Sequence, residues 1–417
     1  MSVVQDLISR NRDGETVGLP CFCTANEHVL RAILKSAKTS GHLTVIEATC
    51  NQVNQDGGYT GMRPADFMAW IADMAAEFGV PQSQLILGGD HLGPNPWRKE
   101  PAALAMEKAR VLVKDYVSAG FTKIHLDASM ALGGEASPSF ELIAERAADL
   151  CEIAEKHAPD PGKLIYIIGT EVPVPGGETE EPEALDVTSV SRFKDTISTH
   201  RDAFTARGLH TAWDRIVSVV TQPGVDFGHS RVYPFDAGAA QTLCQSILTE
   251  PGMTFEAHST DYQPTKALQQ LVAGHFFFLK VGPELTFRFR EAVYALSHVE
   301  DAIAPESPSD IRAIIERRMN EKDGYWADYY SGTPNEVEFQ KIYSYSDRIR
   351  YYWGDPQIAE ALQLMLENLS HADLPAPIIS QYFGAFEFGS APCNPVEMIN
   401  AHVSKCIDRY FAAASPK

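Results

Sequence analysis

The chemistry-bearing residues of this 417-residue chain gather at the ends of short apolar runs. Leu85-Ile-Leu-Gly-Gly-Asp-His-Leu-Gly-Pro94 sets Asp90 and His91 side by side after two glycines. His258 closes Met253-Thr-Phe-Glu-Ala-His, and His229 follows Arg215-Ile-Val-Ser-Val-Val after a Gly-rich turn. A lone histidine is more often a hydrogen-bonded core or surface residue than a ligand. Three at strand ends point to a catalytic divalent-metal site with one open position, zinc being the usual occupant. Glu171, ending Leu164-Ile-Tyr-Ile-Ile-Gly-Thr-Glu, is the fourth candidate ligand. Asp90 and Asp127 are candidate proton carriers or holders of substrate hydroxyls. Asp127 shares a face with His125 and has the plainer alternative of fixing that ring. Glu178, in Val172-Pro-Val-Pro-Gly-Gly-Glu, is a second acid on a loop able to fold over a substrate. Glu47 and Asn51 are candidate substrate contacts, with rim hydrogen bonding as the alternative.

Positioning these residues on one rim requires strands that end together. Apolar runs bounded by turns recur at 17–22, 43–48, 85–90, 123–128, 164–171, 215–220, 253–258 and 276–282. Helix-period stretches separate them. Eight such units in about 300 residues suit a TIM (β/α)8 barrel, which needs about 250 residues and places its chemistry at the strands' carboxyl ends. A doubly wound open sheet ranks second, since it lacks its glycine fingerprint here. The expected division is a barrel over 1–300 and a helical extension over 301–417 packed on it. Loops after the last two strands, with the following helix N-terminus, form the usual phosphate pocket of such barrels. Ser259, Asp261, Lys280 and Gly282 are therefore candidate substrate contacts. In the extension, Arg348 and Arg350 stand among Tyr and Trp, and Arg348 is the candidate phosphate ligand.

A net charge of −20 and a pI near 5.0 argue against nucleic-acid and membrane-surface partners. Seven scattered cysteines, none in a zinc-knuckle spacing, point to a reducing compartment. Met1-Ser-Val-Val-Gln-Asp-Leu shows no signal-peptide pattern, and the expected location is the cytoplasm. No Gly-x-x-x-x-Gly-Lys-[Ser/Thr] or kinase glycine loop is present, which speaks against phosphoryl transfer from a nucleotide.

Several stretches also carry a family resemblance. They are Val45-Ile-Glu-Ala-Thr-Cys-Asn-Gln-Val-Asn-Gln, Gly57-Gly-Tyr-Thr-Gly-Met, Leu87-Gly-Gly-Asp-His-Leu-Gly-Pro-Asn, Lys123-Ile-His-Leu-Asp-Ala-Ser-Met, Ile168-Gly-Thr-Glu-Val-Pro-Val-Pro-Gly-Gly-Glu, Glu256-Ala-His-Ser-Thr-Asp-Tyr-Gln and Ser346-Asp-Arg-Ile-Arg-Tyr-Tyr-Trp. With them the chain resembles the Z-type subunits of D-tagatose-1,6-bisphosphate aldolase, relatives of the class II metal-dependent aldolases. The resemblance implies Asp90 as acid/base, His91, His229 and His258 as metal ligands, and Glu171 with Gly176-Gly177-Glu178 as a mobile acidic loop. One departure is Ser259-Thr-Asp-Tyr262, which stands where class II aldolases carry a Gly-rich phosphate loop. Two functions follow. One is a metal-dependent 4-epimerase exchanging D-tagatose 6-phosphate and D-fructose 6-phosphate. The other is a non-catalytic subunit stabilising a separate catalytic Y-type aldolase subunit. Some relatives carry the label tagatose-6-phosphate kinase. A homo-oligomer is expected.

Overall fold

Runs rich in Val, Ile and Phe, too short for helices and separated by helical stretches, pair in parallel with helical crossovers. The computed structural model describes residues 2–172, 185–384 and 394–414. In it eight strands close into a barrel: β1 (Leu19–Cys23), β2 (Thr44–Thr49), β3 (Leu85–Leu92), β4 (Lys123–Leu126), β5 (Ile165–Gly169), β6 (Ile216–Val220), then β9 (Thr254–Ala257) and β10 (Phe276–Val281). Between β6 and β9 lies a small antiparallel hairpin, β7 (Asp226–Phe227) and β8 (Val232–Tyr233). All barrel pairings are parallel and β1 meets β10, so the TIM barrel expected from the sequence is the observed fold.

The outer ring contains α2 (Glu27–Ser40), α3 (Pro64–Phe78), α4 (Ala102–Ala119), α5 (Phe140–His157), α6 (Val190–Ala206), α7 (His210–Trp213), α8 (Gln241–Ser246), α9 (Thr265–Ala273) and α10 (Pro283–Ile303). Asn26 caps α2, its side chain accepting from the Val29 N–H at 3.1 Å. Helix α1 (Val3–Arg12) closes the barrel's amino end, where Val4 and Ile8 pack with Leu19, Val45, Ile165 and Val217.

Beyond α10 come α11 (Ile311–Glu321), α12 (Pro334–Tyr343), α13 (Pro356–Ser370), α14 (Ala376–Phe383) and α15 (Pro395–Ala414). These helices pack on the barrel in two different ways. Helix α15 lies against α2, α9 and α10 and belongs to the ring. Phe411 meets Phe22 of β1 edge to face, and the Tyr410 hydroxyl donates to the Thr260 carbonyl at 2.7 Å. The segment from Ser344 to Gly354 instead covers the barrel's carboxyl end. The Tyr345 N–H donates to the His229 carbonyl at 2.9 Å, and the Tyr262 hydroxyl to the Tyr345 carbonyl at 2.7 Å. Among the described residues no helix is long and apolar enough to cross a membrane.

Two glycines in β3 and the turn after it make the interior possible. A Cβ at Gly88 would lie 2.6 Å from Glu47 Oε1, inside the barrel. A Cβ at Gly93 would lie 1.7 Å from the Asp127 carbonyl oxygen. Backbone cannot yield as a flexible side chain can, so Gly93→Ala is expected to cost about 2–3 kcal/mol of stability. Urea unfolding of the variant checks this; stability within error of the parent would show that the β3–β4 junction opens freely.

Candidate functional site

Strand alternation points Lys123, His125 and Asp127 to the barrel axis, and Glu256 with His258 likewise. The Asp90–His91 pair breaks that alternation. His91 sits at φ 50°, and the β3–β4 register shifts between Gly89 and Leu92. Left-handed backbone at a non-glycine residue is a strained choice found where a site demands it. Here it turns two consecutive side chains toward one centre.

The imidazoles of His91, His125 and His258 stand with ring centroids 4.9–5.2 Å apart. Ligand atoms from these three and Asp90 all lie within 4.8 Å of one another. Hydrogen bonds fix which nitrogens face inward. His91 Nδ1 bonds Asp127 Oδ2 at 2.7 Å, which leaves Nε2. His258 Nε2 bonds Glu256 Oε1 at 2.9 Å, which leaves Nδ1. His125 Nδ1 lies 2.9 Å from Asp90 Oδ1 and 3.2 Å from the His91 backbone N–H. One nitrogen cannot serve both; the carboxylate is the stronger partner. His125 Nε2 is then a buried lone pair with no hydrogen-bond partner among the described residues. Three ring nitrogens backed by carboxylates, plus one carboxylate, form a donor set that fits a divalent ion with zinc's preferences.

A chain of alternating charges supports this cluster from below. Lys123 Nζ bridges Glu47 and Glu256 at 2.6 Å each, all three side chains being 0% exposed. Lys280 bonds Glu47 and lies 2.9 Å from Asp90 Oδ1. Cys23 Sγ lies 3.3 Å from Glu47 Oε2. Burial would raise the Asp90 carboxyl, but His91, the His125 hydrogen bond and His258 hold it well below the carboxylate range. Burial also opposes ionised Glu256, yet Lys123 and His258 outweigh it and hold the carboxyl down to about 2.

That shift has a stability consequence. A carboxyl whose folded value lies below its ordinary 4.5 stabilises the fold above that value. The contribution fades as pH falls from 4.5 to about 2. Glu256→Gln is expected to flatten the acid limb of a urea-stability profile over that window; an unchanged slope would remove Glu256 as a source of acid sensitivity.

Asp90, His91 and His258 of the cluster line a cavity of about 330 Å³ at the strands' carboxyl ends. Asn51 and Ser259 line it, Ser259 at φ 53°, and Asn51 Oδ1 accepts from Asn95 at 3.3 Å. His229 lines the same cavity but is not among the converging imidazoles. Carried on the β7–β8 excursion, it is held by the extension: its Nδ1 lies 3.0 Å from Ser344 Oγ and its ring meets Tyr330 edge to face. Glu171 pairs with Arg192 at 2.8 Å, outside the cluster. Glu47 is an interior partner of two lysines rather than a rim residue, and Lys280 is engaged by Glu47 and Asp90 rather than open to a phosphate. Gly282 donates its N–H to Asp261 Oδ1 at 3.0 Å. Arg348 turns away from the cavity, its guanidinium 3.3 Å over the Tyr329 ring and its Nε on the Tyr325 carbonyl. Arg350 lines the cavity in its place and donates to the Tyr351 hydroxyl at 2.8 Å. Glu178 and its loop lie outside the described residues. Lys123, His125 and Glu256 are not among the site residues expected from the sequence, and Arg350 ranks there below Arg348. The alternation Lys123, His125, Asp127 was the available signal for two of them.

Comparison with known proteins agrees with this architecture. The D-tagatose-1,6-bisphosphate aldolase subunit GatZ/KbaZ-like family model matches residues 4–415. The D-tagatose-1,6-bisphosphate aldolase subunits GatZ of Salmonella newport (strain SL254) and of Klebsiella pneumoniae are each 46% identical over 383 residues, 91% of this chain and 90% of theirs. A crystal structure from Sinorhizobium meliloti 1021, described as a probable tagatose 6 phosphate kinase, superposes with a TM-score of 0.87 at 40% identity. That match covers 95% of this chain and 100% of the other. On a match spanning nearly every residue, the chain belongs to the GatZ/KbaZ-like family of D-tagatose-1,6-bisphosphate aldolase subunits.

Proposed function

We propose that this family member keeps a working metal centre, and that its reaction is the exchange of D-tagatose 6-phosphate and D-fructose 6-phosphate at C4. The observation that carries this is the convergence of His91, His125, His258 and Asp90, with His125 Nε2 buried and without a hydrogen-bond partner among the described residues. Those three residues would hold the ion, zinc by donor type, with Asp90 beside them. When bound, a divalent ion supplies Lewis acidity to carbonyl and hydroxyl oxygens. Asp90 has its Oδ1 engaged by His125 and Lys280, and its Oδ2, 3.7 Å from Cys23 Sγ, takes the C4 hydroxyl proton as the C3–C4 bond opens. The proton returns from Oδ2 once the aldehyde has turned over and re-added, and C4 is inverted. Arg350 on the facing wall offers a guanidinium to the phosphate. The covering segment from Ser344 to Gly354 limits water at the reacting carbons.

A second reading is supported by the relatives' description as aldolase subunits. In it the chain stabilises a separate catalytic Y-type subunit, a role compatible with a preserved centre. The two are separated by purifying the full chain alone, loading it with zinc and following tagatose 6-phosphate formed from fructose 6-phosphate. Conversion that chelation and Asp90→Asn both abolish supports the enzyme. No conversion with any divalent ion, together with rescue of a separate aldolase subunit, supports the partner role.

A further inference from the structure

The first turn of α10 is where a barrel of this kind presents free N–H groups to a phosphate. Here each of those groups is spoken for. The Gly282 and Glu284 N–H groups both donate to Asp261 Oδ1, at 3.0 and 2.8 Å. Pro283 has no N–H to give. The Leu285 N–H turns back to the Gly282 carbonyl at 3.0 Å. Asp261 itself is only 2% exposed, yet borders the cavity. Ser259 at φ 53° and Tyr262 at φ 63° bend the chain around it. A second carboxylate, Glu284, stands on the same turn. It accepts the Tyr262 N–H at 2.6 Å and is countered by Arg288 and Arg409. Among the described residues the non-histidine cations on the cavity wall are Lys280 and Arg350, and Lys280 already serves Glu47 and Asp90.

We propose that Asp261 is a specificity-determining residue: a tethered carboxyl group that occupies the barrel's phosphate position, so that the cavity accepts a sugar bearing one phosphate and discriminates against a bisphosphate. A second phosphate would have to displace a buried carboxylate from two backbone donors and settle beside Glu284. The inference rests on the sugar-phosphate reading above. Its test is read by binding, so it fails separately from sugar conversion.

The test is calorimetric titration of the full chain with inorganic phosphate, fructose 6-phosphate and fructose 1,6-bisphosphate. Wild type, Asp261→Gly, Asp261→Ser and Asp261→Asn are compared, with folding checked by circular dichroism. Wild type is expected to prefer the monophosphate. The Gly and Ser variants are expected to gain at least about tenfold in affinity for inorganic phosphate and the bisphosphate, the scale of one charge-assisted hydrogen bond. Asp261→Asn keeps an acceptor on both N–H groups and is expected to show no gain. Wild type that binds the bisphosphate as tightly as the monophosphate overturns the proposal. So do folded Gly and Ser variants without a gain, or an Asn variant that gains as much as they do.

Discussion

His125→Ala is expected to lower divalent-metal affinity by more than about 100-fold, since even outer partners of metal ligands cost about 10–100-fold. The argument is geometric. His125 Nε2 is buried without a hydrogen-bond partner, and its ring centroid lies 5.0 Å from that of His91 and 5.2 Å from that of His258. Truncation leaves two imidazoles and a carboxylate, and Asp90 Oδ1 loses its charge-assisted bond from the ring. His229→Ala is expected to leave metal affinity unchanged, because that ring bonds Ser344, meets Tyr330 and is not among the converging donors. Competition with a chromophoric zinc chelator reads both variants without any turnover assay. The reverse pattern, with affinity lost at 229 and kept at 125, would move the centre from the strand ends to the β7–β8 excursion.

That contrast also marks how far the sequence could be read. The eight strands were legible because each is an apolar run of strand length between turns, and their observed ends lie close to the runs read from sequence. Asp90, His91 and His258 were legible as strand-end residues. His125 was overshadowed by position: it sits inside β4, with Asp127 the more obvious end residue, although alternation already aimed both at the axis. His229 resembled a ligand by its place after β6, while the contacts that hold it come from Tyr330 and Ser344, remote in sequence. Arg348 and Arg350 are neighbours on one short turn, so composition could not say which faces the cavity. Helix α15 fills a place in the ring, but its amphipathic pattern does not name the surface it covers. Asp261 was visible as a departure from a glycine-rich loop; that its carboxylate caps α10 needed coordinates.

Lys123→Met is expected to destabilise the chain by about 3–5 kcal/mol, the cost of stranding a buried charge by removing its partner. Lys123 lies wholly inside the barrel, its ammonium 2.6 Å from both Glu47 and Glu256 and 4.9 Å from the Phe278 ring centroid. Burial alone would favour the neutral amine, but Glu256 outweighs it and holds the ammonium charged. Methionine matches the stem and leaves two carboxylates facing an apolar barrel. Glu47 keeps Lys280, whereas Glu256 keeps only His258, so the cost falls mainly on Glu256. Adding Glu256→Gln to Lys123→Met should therefore recover a substantial part of the loss, more than it does in the parent, and a double-mutant cycle in urea gives that coupling directly. The exposed pair Lys163–Asp160 is the control: Lys163→Met should leave the unfolding midpoint where it was. A Lys123→Met protein as stable as the parent would mean that water or a protonated Glu256 replaces the ammonium at no cost. The charge chain would then be incidental to the barrel that positions His258.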